Sequence, residues 1–526
     1  MCPSILLREA GGERVVAPPF PRRRGGPGAP TAGTGARAFR LVGDGGRPAR
    51  RAAAPWRAAH ACPAPRWLVR GPGGAHRGPA PSRSDGGSSG GRASSPPRER
   101  RSERPDRSRA REVSVSEVDC CIAGGGPAGM MLGLLLARHG VAVMVLEKHG
   151  DFLRDFRGDT VHPSTLRLLD ELGLADEFLE LPHQKVTRLA VTTDDGTYAM
   201  ADFGRLPGRF PFLAFVPQWD FLDFLADQAR RYPTFQLRMN AEAVDLLRED
   251  GQVTGLRYRT RDGGEHEVTA QLTVAADGRN SALRERSGLR LREFGAPMDV
   301  LWFRLSKPAA GAGPSFGGAG RITRGRMLVR LDRGDYWQCA YLVRKGGYAA
   351  LEAAGLESFR GDLARLLPAD APLEALRSWD DVRVLSVRVD RMTRWHQPGL
   401  LFIGDAAHAM SPIGGVGINL AVQDATAAAR LLAGPLRGGG VSSRRLGRVR
   451  WRRLLPTVVT QLVQRQIQTR VLSRILAGDR PIATPRVVRL LDRHPVLQGL
   501  PARAIGVGVL PEHVGSGPAA GVGLRP

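Results

Sequence analysis

Three clusters of glycines and acids in this chain have the spacing that nucleotide chemistry needs. The first is Gly124-x-Gly126-x-x-Gly129, with Pro127 and Ala128 inside it, between an apolar run (VDCCIA) and an apolar helical stretch. Glycines at those places permit a tight turn and let the backbone approach a pyrophosphate. The helix that follows offers its free N–H groups and positive dipole end to that anion. Glu147, with Lys148 beside it, ends the next apolar run, VAVMVLEK. An acid there can accept hydrogen bonds from the two hydroxyls of a ribose. Strand, glycines, helix, strand and acid in this order define a dinucleotide site, without separating FAD from NAD.

The second cluster is Ile403-Gly404-Asp405-Ala406-Ala407-His408, continued by Ser411-Pro412-Ile413-Gly414-Gly415-Val416-Gly417-Ile418-Asn419. An apolar strand here delivers a carboxylate to its C-terminal end, where α/β folds place ligands. Asp405 suits a ribityl hydroxyl, and the glycine run lets backbone N–H groups approach a flat ring. A helix starting near Gly417 would stabilise negative charge on a reduced flavin. The plainer readings are an N-cap for Asp405, a simple loop for the glycines and a structural role for His408. The third cluster, Ala276-Asp277-Gly278-Arg279-Asn280-Ser281 with Arg284, also follows a strand, and alone reads as an ordinary turn and N-cap.

These residues need a scaffold, and the apolar pattern supplies one from Val118 onward. The spacing predicts a helix over 127–140 stopped by Gly140, a strand at VAVMVLEK, and a helix from Pro163 to Leu172 with Gly173 as its stop. A helix over 218–231 follows. Three strand-like runs then extend to Val268, broken by Asp250-Gly251 and Asp262-Gly263, the turn chemistry of hairpins. LLFIGDAAH reads as a buried strand opening into a loop and helix. Residues 456–476 read as a helix with Val459, Leu462, Val463, Ile467, Val471 and Ile475 on one face, expected to pack on the core. Contact of that helix with a membrane surface through Arg465, Arg470 and Arg474 is the alternative.

Residues 1–115 are of another kind. They carry 23 arginines against eight acids, are rich in Gly, Pro, Ser and Ala, and have no helical or strand period. Such a segment cannot bury enough apolar surface to offset its ordering entropy, so a disordered tail is expected. More than half of the net charge of +26 lies in that tail. The excess therefore does not mark a folded nucleic-acid surface, and no nucleic-acid partner is expected. Cys2, Cys62, Cys120, Cys121 and Cys339 form no CxxC pair, which argues against a disulfide framework, a redox dithiol or a zinc site. No metal is expected, and a reducing cytoplasm is the natural location. No apolar run reaches the length of a membrane span.

Taken together, the glycine fingerprint with Glu147, the Asp277-Gly278 motif and the GDAAH…PxxGxGxN motif occur in the order and rough spacing of class A FAD-dependent monooxygenases. The resemblance to this para-hydroxybenzoate hydroxylase-like family covers residues 118 to about 435. It implies an α/β (α+β overall) fold: a Rossmann-like FAD domain with an inserted mixed-sheet substrate domain. The core would span 116–436, with sheet segments at about 186–216 and 294–380, and 437–526 would form a helical C-terminal segment. By the resemblance, Arg157 contacts the FAD phosphates and Gln218 also contacts FAD. Gly417, Ile418 and Asn419 sit against the isoalloxazine ring, and Pro412 lines its catalytic side. Read alone, Arg157 could be a surface charge and Gln218 a helix N-cap.

The implied reaction is reduction of FAD by NADH or NADPH, followed by transfer of one oxygen atom of O2 to an aromatic or quinol-like molecule. The cofactor carries the hard chemistry, so no catalytic side chain is assigned. Candidates for the substrate pocket are His162, Trp302, Tyr336 and Pro412. There is no second glycine fingerprint and no WxWxIP motif of flavin halogenases. Two other readings stay open: an FAD reductase or oxidase of an isoprenoid or quinone-like substrate, and a non-enzymatic flavin protein that docks through its basic tail.

Overall fold

The computed structural model describes residues 115–153, 160–307, 318–334, 336–478 and 484–515. The arginine-rich tail up to residue 114 and Arg157 lie outside the described residues.

The glycine cluster is held by an eight-stranded sheet. Five of its strands run parallel, in the spatial order Leu400–Phe402, Glu265–Ala275, Val115–Ala123, Val143–Glu147 and Phe235–Met239. Parallel strands are covered on both faces, which is why they read as continuous apolar runs rather than as alternation. Cys120 and Ile122 point into one core, with Met131, Leu135, Val422 and Ala425. Cys121 and Ala123 point into the other, with Met144, Leu256, Trp395 and Phe402. Both cysteines are thus packing residues, and burial pushes their thiol pKa values up.

The first helix, Pro127–Arg138, starts with proline at its first position and packs on the sheet through small residues. A Cβ on Gly129 would lie 1.9 Å from the Gly124 carbonyl oxygen, so only glycine lets helix and strand approach this closely. Helices Pro163–Glu171 and Gln218–Arg230 match the spacing, each within two residues of its expected end. The hairpin region differs in extent from the reading of the sequence. It holds four strands rather than three, and the last runs on to Ala275. Asp250 (φ 48°) and Gly251 (φ 76°) form the expected left-handed turn.

A second sheet of seven strands has the order Arg383–Leu385, Met298–Ser306, Tyr336–Arg344, Arg326–Asp332, Gly318–Thr323, Arg188–Thr193 and Gly196–Asp202. All neighbours are antiparallel except Gly318–Thr323 beside Arg188–Thr193. Its two faces bury different clusters. Leu301, Phe303, Trp337, Cys339 and Tyr341 pack under Phe359 and Leu363. Val300, Trp302, Ala340, Leu342, Met327 and Val329 pack with Ile413, Leu472 and Ile475.

The C-terminal helix overturns an expectation. It begins at Ser443, runs to Ile467, continues through a π-turn at Gln468–Leu472 and ends with Ser473–Ala477. Leu462 and Val463 are about half exposed, and Ile467 and Val471 also face outward, so of this stripe only Ile475, at its far end, packs into a core. The buried side is polar instead: Arg453, Thr457, Gln461, Gln464 and Gln468. The physical reason lies in what the helix covers, buried backbone carbonyls that its glutamines serve.

Candidate functional site

The C-terminal ends of the parallel strands carry all three clusters to one edge. Glu147 is buried at the end of its strand; its Oε2 accepts from Gly125 N–H (2.9 Å) and its Oε1 from His149 N–H (3.1 Å). The acid is thereby aimed at the glycine turn, while Lys148 is exposed beside it. A Cβ on Gly126 would meet nothing within 4 Å, in contrast to Gly129. The helix behind it has no side-chain cap, so its first N–H groups face that open space. This is the shape a pyrophosphate requires.

The Asp277 and Asp405 loops are braced against each other. Arg279 donates from Nη2 (3.0 Å) and Nε (3.3 Å) to Asp405 Oδ2. Buried Arg284 donates to the carbonyls of Ala406 (3.0 Å) and Arg279 (2.7 Å). Asp277 is no simple cap. Its Oδ2 accepts from Leu283 N–H, but the cap of helix Ala282–Ser287 is Ser281, and Asp277 Oδ1 is a buried oxygen without a partner. Burial pushes its carboxyl pKa up, with the Ser281 and Leu283 hydrogen bonds opposing.

Past Asp405 the chain runs through Pro412, which is half-buried, to Gly414 and Gly415, and then enters helix Gly417–Arg437. That helix also lacks a side-chain cap, leaving the backbone N–H groups of Gly417, Ile418 and Asn419 at its positive end. The Asn419 side chain is occupied elsewhere: its Oδ1 accepts from Ser164 (2.6 Å) and Thr165 (2.9 Å). Its amide oxygen is thereby occupied, while its amide NH2 makes none of these bonds.

The loop is held from behind by the inverted helix. Gln461 donates to the carbonyls of Asp390 and Ala409, Gln464 to those of Ser411 and Ile413, and Gln468 to Ser411 Oγ. Asp424 forms the deepest knot. It accepts from Gly404 N–H (3.0 Å) and Arg453 Nε (2.9 Å), and lies 2.6 Å from His408 Nε2, with all three side chains buried. Burial alone would raise the Asp424 pKa; His408 and Arg453 overcome it and hold the carboxylate low.

The pocket candidates separate. His162 is fully buried, with Nδ1 donating to the Ile505 carbonyl (2.8 Å) and Nε2 near Gly415. It braces the loop, and burial lowers its pKa, keeping the ring neutral. Trp302 lies on the sheet face that packs with Ile413. Tyr336 starts the neighbouring strand, under the guanidinium of Arg304 (5.0 Å). Gln218 opens its helix but does not cap it, since Pro217 holds that position. The sequence reading missed Arg279, Gln338, Asp424, Arg453 and the glutamine row. Only Arg279 stood inside a recognised motif.

An open cradle at Gly126, a partnerless oxygen on Asp277 and two uncapped helix ends along one edge define a dinucleotide-binding oxidoreductase of the flavin type. Comparison with known proteins makes this specific: residues 117–462 match the family described as FAD binding domain, and the chain belongs to it. It is 33% identical over 383 residues to a 6-methylpretetramide 4-monooxygenase of Streptomyces rimosus, covering 71% of this chain and 90% of that protein. It is 26% identical over 340 residues to a para-nitrophenol 4-monooxygenase of Pseudomonas sp. (strain WBC-3), covering 60% and 78%. Among solved structures, the p-nitrophenol 4-monooxygenase PnpA of Pseudomonas putida superposes with a TM-score of 0.57 at 20% identity, covering 74% of this chain and 97% of that one. The Diels-Alderase PyrE3 shares the fold equally well (TM-score 0.56, 20% identity, 74% and 80% covered), so the fold by itself does not fix the reaction. The sequence relatives do: the chain is an FAD-dependent monooxygenase, with NAD(P)H as its electron donor. Among the described residues, no helix is long and apolar enough to cross a membrane.

Proposed function

We propose that this chain hydroxylates a phenolic or quinol-like aromatic molecule held between the Ser411–Gly417 loop and the inner face of the seven-stranded sheet. The carrying observation is the cluster in which Trp302, Ala340, Leu342, Met327 and Val329 pack toward Ile413. A sheet face lined with apolar groups and set against the cofactor loop suits a flat, largely apolar ring. In this reading Glu147 and Lys148 take the adenosine ribose, Gly124, Gly126, Pro127, Ala128 and Gly129 the pyrophosphate, and Asp277 and Asp405 polyol hydroxyls. The backbone of Gly417, Ile418 and Asn419 faces the ring, and Arg157 and Gln218 complete the cofactor contacts. When bound, FAD supplies the redox chemistry. The chain's own part is to hold the ring beside Pro412, exclude water with the apolar sheet face, and place the positive end of helix Gly417–Arg437 where charge develops. The cytoplasm, where NAD(P)H is at hand, is its proposed location.

The test is turnover under isotopically labelled O2 with NAD(P)H and a panel of phenols and quinols. One labelled oxygen atom in the product is the expected outcome. Hydrogen peroxide with unlabelled product across the panel would turn the reading into that of an oxidase.

A further inference from the structure

The face of the seven-stranded sheet that meets the cofactor loop carries the exposed Arg304 and Arg383 opposite Gln338 and Trp302, and it holds two buried hydrogen-bond donors without an acceptor. Gln338 is 2% exposed, and its Nε2 has no partner. The orientation of its amide is fixed: Arg333 Nε, which can only donate, points at Gln338 Oε1 (2.9 Å), so the NH2 group is what remains. The buried indole Nε1 of Trp302 likewise has no partner. The two residues sit on adjacent strands of one face: Trp302 pairs with Ala340 and Arg304 with Gln338, which makes them diagonal neighbours. Val329, Ala340, Leu342 and Ile413, which pack with Trp302, carry no side-chain acceptor, and the Tyr336 hydroxyl two residues from Gln338 on the same face bonds neither donor.

A buried donor left unmade is costly, and two on one sheet face beside a cofactor loop call for acceptors from outside the chain. Each donor needs an oxygen lone pair, and a ring carbonyl offers a stronger one than a phenol oxygen, whose lone pair is drawn into the ring. From this we infer that Gln338 and Trp302 select substrates by their ring carbonyl oxygens, so that the aromatic ligand is a hydroxylated quinone or aryl ketone rather than a plain phenol. This rests on the substrate surface assigned under the proposed function and narrows what it accepts. A site built to donate to an oxygen discriminates strongly against the analogue that lacks it, because the donors are then buried unpaired.

The experiment uses oxidised, FAD-loaded full-length protein without NAD(P)H, so that binding is read apart from turnover. The probes are 2-hydroxyanthraquinone and 2-hydroxyanthracene, which share three fused rings and one phenol and differ in two carbonyls. Dissociation constants follow from the perturbed flavin spectrum. The quinone should bind at least about ten-fold more tightly. Trp302→Phe, which keeps a ring and removes the N–H, and Gln338→Met, which keeps the length, should each erase most of that ratio, the quinone losing more affinity than the anthracene. If Gln338→Met gives no folded protein, Trp302→Phe decides alone. A ratio near one in the parent, or a ratio that both variants retain, overturns the inference and leaves a bound water as the partner of both donors. Labelled-oxygen transfer to a plain phenol alongside such a result would uphold the monooxygenase reading while removing this one.

Discussion

The glycine turn at Gly124–Gly129 and the helix Ser443–Ile467 serve the same ligand edge by opposite means. The turn presents backbone outward, with its apolar residues inside, as the pattern of the strand and helix dictates. The helix presents apolar residues outward, Trp451 at 69% exposure among them, and buries an arginine and a row of glutamines. The difference follows from what each faces. The turn leaves its own N–H groups for a ligand. The helix must serve the backbone carbonyls of Asp390, at the start of a short strand, and of Ala409, Ser411 and Ile413 in the loop beyond Asp405. Buried backbone acceptors demand donors, and that demand outweighs the ordinary preference for an apolar inner stripe.

The comparison breaks most visibly at Arg453. Replacing it by Met leaves Asp424 buried without its arginine partner, and unfolding in denaturant should show a loss of about 3–5 kcal/mol. On the glycine side the cost should appear in cofactor affinity instead. Glu147→Ala and Gly126→Val should weaken FAD binding about ten- to a hundred-fold, on the scale of a charge-assisted hydrogen bond, as read by flavin fluorescence titration. Apoprotein stability should hardly move for Gly126→Val, since its Cβ position is empty of protein atoms. Gln464→Leu should cost about 1–3 kcal/mol, the price of two unserved carbonyls, although leucine is the better core residue by type.

A smaller, pH-linked effect belongs to His162. Its folded pKa is depressed by burial, so below about pH 6.5 the unfolded chain gains a proton that the folded chain resists. The stability of the parent should therefore fall faster with acid than that of His162→Gln, and the two curves should run parallel above that pH. Smallest of all, Leu462→Gln and Val463→Thr should stay within about 0.5 kcal/mol of the parent, as surface changes do. A larger loss would place that stripe back in a core.

Much of the cofactor edge was legible because its physics is local. Gly124, Gly126, Gly129 and Glu147 act through turn geometry and strand ends, which spacing encodes. Parallel strands and helix stops such as Gly140 and Gly173, both at positive φ, were equally readable. The helix 456–476 was largely misread because amphipathic spacing gives two faces without saying which is covered; Leu462, Val463, Ile467 and Val471 are outside, and Ile475 alone keeps the expected core contact. Arg279–Asp405, Arg453–Asp424 and the two donors on the substrate sheet join residues far apart in sequence, and no periodicity reports a partner 126 or 29 positions away. Gln338 was passed over for the aromatic Tyr336 two residues earlier on the same face, since an unpaired amide shows only once its neighbours are known.

The segment Ile505–Glu512 gives this architecture an order of assembly. Its backbone receives His162 at Ile505 and Ser164 at Gly506, its Glu512 meets Arg452 and Arg453, and Gln423 accepts from the Glu512 N–H. Every one of those partners stands directly behind the cofactor loop or its helix, yet the segment is synthesised some hundred residues after Asp405. A chain emerging from the ribosome can form the glycine turn and the parallel sheet early, while the floor under the Ser411–Gly417 loop closes only once residues 505–512 have been made. Support for that loop thereby waits for a segment far along the chain, and pulse-labelled chains stalled before residue 499 should retain the sheet while failing to hold FAD.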